Sequence, residues 1–184
     1  NAVVTLNGAT TAVAWLDGLL TGGAYQARMG GLARSYSAYF LRDPDQSGLA
    51  FWFPKVNAGW TTAAVSNYFA QSSEFINRYG ALSNGEFVDL VYQNVLGREA
   101  DASGRAYWVG QLDRGVKNRG QVMVGYSESN EYKTATRGRV QMIITAWGLL
   151  HRAPTDGELS SWSSLSNAQL VTQLLASAGY TTRH

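Results

Sequence analysis

Three arginines constrain this chain more than any other feature of its sequence. Arg42, Arg98 and Arg152 lie 56 and 54 residues apart, and each is followed ten positions later by a tryptophan: Trp52, Trp108 and Trp162. Gly48 and Gly104 match at plus six, where the third copy has Gly157 one place earlier. Pro44 and Pro154 match at plus two, and Ala100 takes that place in the middle. The downstream segments SNYFAQSSEF, VGYSESNEY and TQLLASAGY match more loosely, each reading as an apolar helix ending in serine and an aromatic. A period of this length belongs to repeated supersecondary units, each too small to bury its own apolar face.

The middle copy is the most complete. Phe87, Leu90, Val91 and Val95 follow a helical period, with Ser83 or Asn84 positioned to cap and Glu86 close by. Gly97 ends that helix, Ser103-Gly104 opens a second carrying Tyr107, Trp108 and Leu112, and a third carries Val122, Val124 and Tyr126. The expected fold is all-α. It consists of three repeated units of about three short, orthogonally packed helices, preceded by an N-terminal extended arm. The boundaries are 1–31 for the arm and first helix, 32–80, 81–135 and 136–184 for the units. The arm is expected because Ala2-Val3-Val4-Thr5-Leu6 is β-prone and Asn7-Gly8 is a turn pair. Gly30-Gly31, inside a long apolar helix from Ala24 to Leu41, predicts a kink or a close helix contact. Thr61 is expected to cap one helix, and Ser166 with Gln169 another.

The residues offer little to catalysis. The two histidines, His151 and His184, form no metal-protease or triad order, and the carboxylates show no acid/base pairing. Cysteine is absent, which removes disulfides, thiol chemistry and the commonest zinc ligand. The net charge of +2 comes from dispersed arginines without a basic run, so no nucleic-acid partner is expected. No segment approaches the ~20 continuous apolar residues of a membrane helix, so no membrane span is expected. Only 15 % of residues are charged, which is few for a surface that resists association.

Asp43-Pro44-Asp45-Gln46-Ser47-Gly48 has the alternating oxygens and the glycine of a calcium loop. Asp43, Asp45 and Ser47 are its candidate metal ligands. The closing bidentate glutamate is missing, because that place falls on Pro54. The alternative is a helix cap, with Asp45 and Asp101 at the start of the helix behind each loop. That reading is preferred, and with it no cofactor. The recurring arginines are read as structural, bonding loop carbonyls and stacking on the tryptophan ten residues on. The recurring tryptophans are read as core. Trp15, Trp60, Trp147, Tyr25 and Tyr36 lie outside the repeat and are the candidates for exposed binding aromatics. An interaction surface is expected at Val3, Val4, Leu6, Trp15, Leu19 and Trp60.

The string VYQNVLGREADASGRAYWVGQL, with SESNEY downstream, resembles the bacterial family called domain of unknown function 4214. The matching features are Leu96-Gly97-Arg98, Asp101, Gly104, Tyr107-Trp108, Ser127 and Glu131-Tyr132. The first copy departs at Asp43 and the third is degraded. That family is similar to phycobilisome linker domains, and its members sit mostly in secreted or surface bacterial proteins. The resemblance implies an all-α fold, an extracellular accessory or assembly role, and no catalytic residues. The chain begins at Asn1, so a removed signal peptide or a longer parent is expected. The expected function is a non-enzymatic, secreted or cell-surface structural module that self-assembles or anchors a larger surface protein. The alternative is a module that binds glycan or cell wall, and a hydrolase ranks last. Aromatics exposed together on one face favour glycan; buried aromatics with a large contact between copies favour assembly.

Overall fold

The computed structural model describes residues 9–177 of the chain, and among them there is helix and no strand. The extended arm, with Val3, Val4 and Leu6, and the terminal His184 lie outside the described residues. Helix α1 is Ala9–Thr21 and ends before Gly22-Gly23, as the glycine pair predicts. Helix α2 opens at Gly23–Tyr25, widens into a π-helical stretch at Gln26–Gly30 and continues as Gly31–Phe40. The Gly30-Gly31 pair does mark a close contact. A Cβ at Gly31 would stand 2.5 Å from the Thr62 hydroxyl.

Helix α3 is Gln46–Asn57 and accommodates Pro54 near its end. Helices α4 (Thr62–Phe69) and α5 (Ser73–Tyr79) begin at Thr61 and Ser72, whose hydroxyls accept from backbone N–H groups two residues into each helix. Helix α6 is Asn84–Val91, prolonged as a π-helical turn, Tyr92–Leu96. Ser83 and Glu86 form its reciprocal capping box. Helix α7 is Ala102–Asp113 and α8 is Arg119–Ser127. The third apolar segment of the middle copy does not run straight on. It breaks at Glu128-Ser129, and Ser129 caps a new 21-residue helix, α9, Asn130–Leu150. The chain closes with α10 (Asp156–Trp162) and α11 (Asn167–Leu175), the latter boxed by Ser166 and Gln169 as its sequence predicts.

Two apolar clusters hold these helices. The larger one centres on α2, with Leu32, Tyr36, Tyr39 and Phe40, and gathers Trp52, Phe69, Phe75, Phe87, Val122 and Ile144 around them. The smaller cluster joins α1 to the C-terminal helices through Leu20, Leu149, Leu150, Trp162, Leu170 and Leu174. Helix α9 belongs to both. Helices α4 and α8 lie backbone to backbone at Gly120. The Ser66 hydroxyl donates to the Gly120 carbonyl at 3.0 Å and shares a 2.9 Å hydrogen bond with Tyr39.

Candidate functional site

The three arginines open three closely similar turns. Leu41, Gly97 and His151, one place before each arginine, are left-handed, with φ of 51°, 63° and 51°. Each arginine then donates from Nη1 to the carbonyl of the next residue: Asp43 at 3.0 Å, Glu99 at 3.3 Å and Ala153 at 3.2 Å. Three residues after each arginine comes the cap of the following helix. Asp45 accepts from the Gly48 N–H, Asp101 from that of Gly104 and Thr155 from that of Glu158. The guanidinium does not stack on the tryptophan ten residues on, as expected from sequence. Arg42 and Arg98 lie instead over the rings of Tyr36 and Tyr92, six residues before them. Gly48 and Gly104 lie against the hydroxyls of those tyrosines, where a Cβ would overlap. The third turn has Ala146 in the tyrosine position, and Arg152 forks onto Glu158. That guanidinium, with lesser help from the Thr155 backbone and hydroxyl, holds the Glu158 carboxyl down at about 2.

Asp43, Asp45 and Ser47 are placed as parts of this turn. Asp45 takes the Gly48 N–H at 2.7 Å and the Ser47 hydroxyl at 2.7 Å, and both lower its pKa. Asp43 accepts from Arg139 of α9 at 2.9 Å. Both carboxylates are therefore committed within the fold, and no group of three or more His, Cys, Asp or Glu fit to hold a metal ion occurs among the described residues. Asp45→Ala is expected to cost about 1 kcal/mol, the usual loss of a helix cap. Its melting temperature, like that of the unaltered protein, should be the same in calcium and in chelator. A calcium-dependent rise that Asp45→Ala removes would restore the loop as a metal site.

The most distinctive surface lies behind the first turn. Phe51, Trp60 and Tyr68 are 46 %, 40 % and 49 % exposed, and all three surround the buried indole of Trp52. Ring centroids lie 5.1 Å from Trp52 to Phe51, 5.8 Å to Trp60 and 5.1 Å to Tyr68. The sequence brings them together simply. Phe51 and Trp52 are consecutive on α3, Trp60 sits in the α3–α4 turn, and Tyr68 is on the last turn of α4. Lys55 covers one face of Phe51, with Nζ 3.4 Å from the ring centre. Between Trp60 and Tyr68 lies a groove of about 540 Å³ floored by Ala64 and edged by Asn67, Gln71 and Ser73. Asn67 and Tyr68 lie three and four residues after Ala64, so α4 presents them on one face, and Gln71 follows in the turn after the helix. A second recess of about 380 Å³ adjoins it across Tyr68 and Ser72 and reaches the Arg42–Glu74 pair. That pair is a fork, with 2.8 and 2.9 Å bonds.

The deciding sequence observation for relationship is the middle turn, Gly97-Arg98 to Trp108, flanked by α6 and α8. Residues 66–136 match the family model Domain of unknown function (DUF4214). No curated protein and no solved structure matches the chain. The DUF4214 segment begins within α4 and ends within α9. It holds Asn67, Tyr68 and Gln71 of the groove, while Phe51 and Trp60 precede it.

Of the other aromatics singled out from sequence, Trp147 and Tyr36 are buried and Tyr25 is partly buried, with its hydroxyl donating to the Ile144 carbonyl at 2.8 Å. Trp15 and Leu19 are exposed, one turn apart on α1, and are not near Trp60 in any described contact. Among the repeated tryptophans, Trp52 and Trp162 are buried, but Trp108 is only partly so, packing on Tyr126 with 5.7 Å between rings. Phe51 and Tyr68 escape sequence reading because each follows the apolar period of its helix and looks like core. The signal that marks them is that α3 and α4 already supply Trp52 and Phe69 as the buried neighbours.

Proposed function

We propose that this protein is a non-catalytic, extracellular binding module that holds a neutral glycan chain in the Trp60–Tyr68 groove. The observation that carries the reading is a row of three exposed aromatics on one buried indole, edged by amides and hydroxyls. The C–H face of a pyranose ring is apolar and packs on an aromatic face, while its hydroxyls need both donors and acceptors. Asn67 and Gln71 supply both, and neither carries charge. The two adjoining recesses give room for several consecutive sugar units, in the size range of ligand clefts. Catalysis is not part of the reading: among the described residues no His, Asp or Glu lines the Trp60–Tyr68 groove, and Asp45 and Glu74 of the adjoining recess are both paired with Arg42.

The test is calorimetric titration with neutral cell-wall and polysaccharide-derived oligosaccharides. Trp60→Ala is expected to weaken binding about ten- to thirty-fold, the effect of removing one aromatic anchor. The variant should stay folded with a modestly lower melting temperature, because Trp60 is 40 % exposed and otherwise packs on Trp52. Unchanged affinity in Trp60→Ala and Tyr68→Ala would remove the groove as the site. A second reading, association with a copy of itself or a larger surface protein, is favoured by Trp15 and Leu19 side by side on α1. Light scattering before and after Trp15→Ser with Leu19→Ser decides it: a concentration-dependent mass that the double variant abolishes supports association.

A further inference from the structure

A further cavity lies away from the groove. It encloses about 790 Å³ between the π-helical start of α2, the N-terminus of α4, the end of α8 and the first turns of α9. Arg34 lies in its wall and is 6 % exposed. Its Nε and Nη2 are taken by Glu128 at 2.8 and 2.7 Å. Its Nη1 has no hydrogen-bond partner among the described residues. Gly30 makes the room: a Cβ there would stand 3.0 Å from Nη1.

Two more cations line the same cavity. Lys133 and Arg137 are four residues apart on α9, so they share a face and repel one another. Lys133 reaches Glu128 at 3.2 Å, while Arg137 has no acidic partner among the described residues. Glu128 is the one acidic residue in the wall, against three cations. On the opposite side stand Thr62 and Ala63, the first two residues of α4. The Thr61 hydroxyl is spent on the Ala64 N–H, so the N–H groups of Thr62 and Ala63 have no acceptor among the described residues. Unmet amides at a helix start and a partly unsatisfied, nearly buried guanidinium both seek an anion.

We propose that this cavity is a second binding site, for an acidic sugar of one or two units whose carboxylate sits between Arg34, Arg137 and the start of α4. The volume argues for a molecule rather than a bare ion, since one water takes only about 30 Å³. Gln26 and Gln141 lie in the wall with their amide N–H groups spent on the Leu20 carbonyl, the Thr145 hydroxyl and one another, so they offer carbonyl oxygens as acceptors for the sugar hydroxyls. The site is separate from the Trp60–Tyr68 groove and does not depend on it.

The experiment is calorimetric titration at low salt with glucuronate, sulfate and glucose. Glucuronate is expected to bind saturably, tighter than about 1 mM, with glucose silent. Lys133→Gln with Arg137→Gln, both exposed positions, should weaken glucuronate at least about tenfold and leave the ligand-free melting temperature in place. Trp60→Ala should leave it unchanged, which keeps this site distinct from the groove. No saturable glucuronate binding, equal binding of glucose, an unaffected double variant, or binding of sulfate alone each overturns the proposal. If the double variant loses its fold, Arg137→Gln alone provides the same comparison, because Arg137 holds no other residue.

Discussion

Gly120→Ala is expected to lower stability by about 3 kcal/mol, at the upper end of what overpacking usually costs. The added methyl would stand 2.5 Å from the backbone nitrogen of Asn67 and 2.6 Å from its Cα. Neither atom can rotate away, so α4 and α8 must separate. Separation also strains the Ser66 bond to the Gly120 carbonyl and the Tyr39 hydroxyl behind it. It opens the packing of Phe69 and Val122 at the same time. Gly138→Ala provides the contrast. That position lies within α9 with nothing near it, and alanine there should stabilise by up to about 1 kcal/mol through helix propensity alone. Denaturant unfolding of both variants is the measurement, and a Gly120→Ala protein as stable as the parent would mean the two helices do not touch as described.

The repeated tryptophans should prove unequal. Trp52→Ala is expected to cost about 3–5 kcal/mol, because the indole is 2 % exposed and sits among Phe51, Trp60, Tyr68 and Phe69. Trp108→Ala should cost roughly 1–2 kcal/mol, since a half-buried side chain forfeits only part of its transfer free energy. Thermal or chemical denaturation of the two single variants measures the difference. Equal losses would show that position plus ten carries the same packing in both turns. In that case the open side of Trp108, next to the exposed Tyr107, contributes more than its burial suggests.

Much of the local structure was written in the sequence. Capping boxes at Ser83 and Ser166, the Thr61 cap and the glycine stops at Gly22, Gly97 and Gly115 follow from residues a few places apart, and the structure has them. The all-α class follows from the same signals. What sequence reading lacked were contacts between distant segments. Arg34 meets Glu128 across 94 positions. Arg139 meets Asp43 across 96. No periodicity encodes either pairing. The end of α8 near Ser127 is legible in the serines after Tyr126, but the immediate start of a 21-residue helix at the Ser129 cap is not. The groove was half legible: Trp60 stood out because it breaks the repeat, while Phe51 and Tyr68 conform to their helices. Arginine stacking on tyrosine rather than tryptophan was a matter of direction. In a helix, side chains lean toward the N-terminus, so Tyr36 and Tyr92 at the ends of their helices reach the turn that follows only because that turn folds back over them.

The two apolar clusters also set the matched segment apart from the unit that packs as one core. The DUF4214 segment, 66–136, contains α5 to α8 entire and the Tyr132 end of α9, but stops before Val140, Ile144 and Trp147, by which the rest of α9 enters the main cluster. It also omits all of α2, whose Leu32, Tyr36, Tyr39 and Phe40 fill the centre of that cluster. In this chain the matched segment packs around a helix that lies outside it. Excised at its own borders, it would present the face that α2 occupies as bare apolar surface. The flanking residues supply the apolar surface on which the matched segment packs.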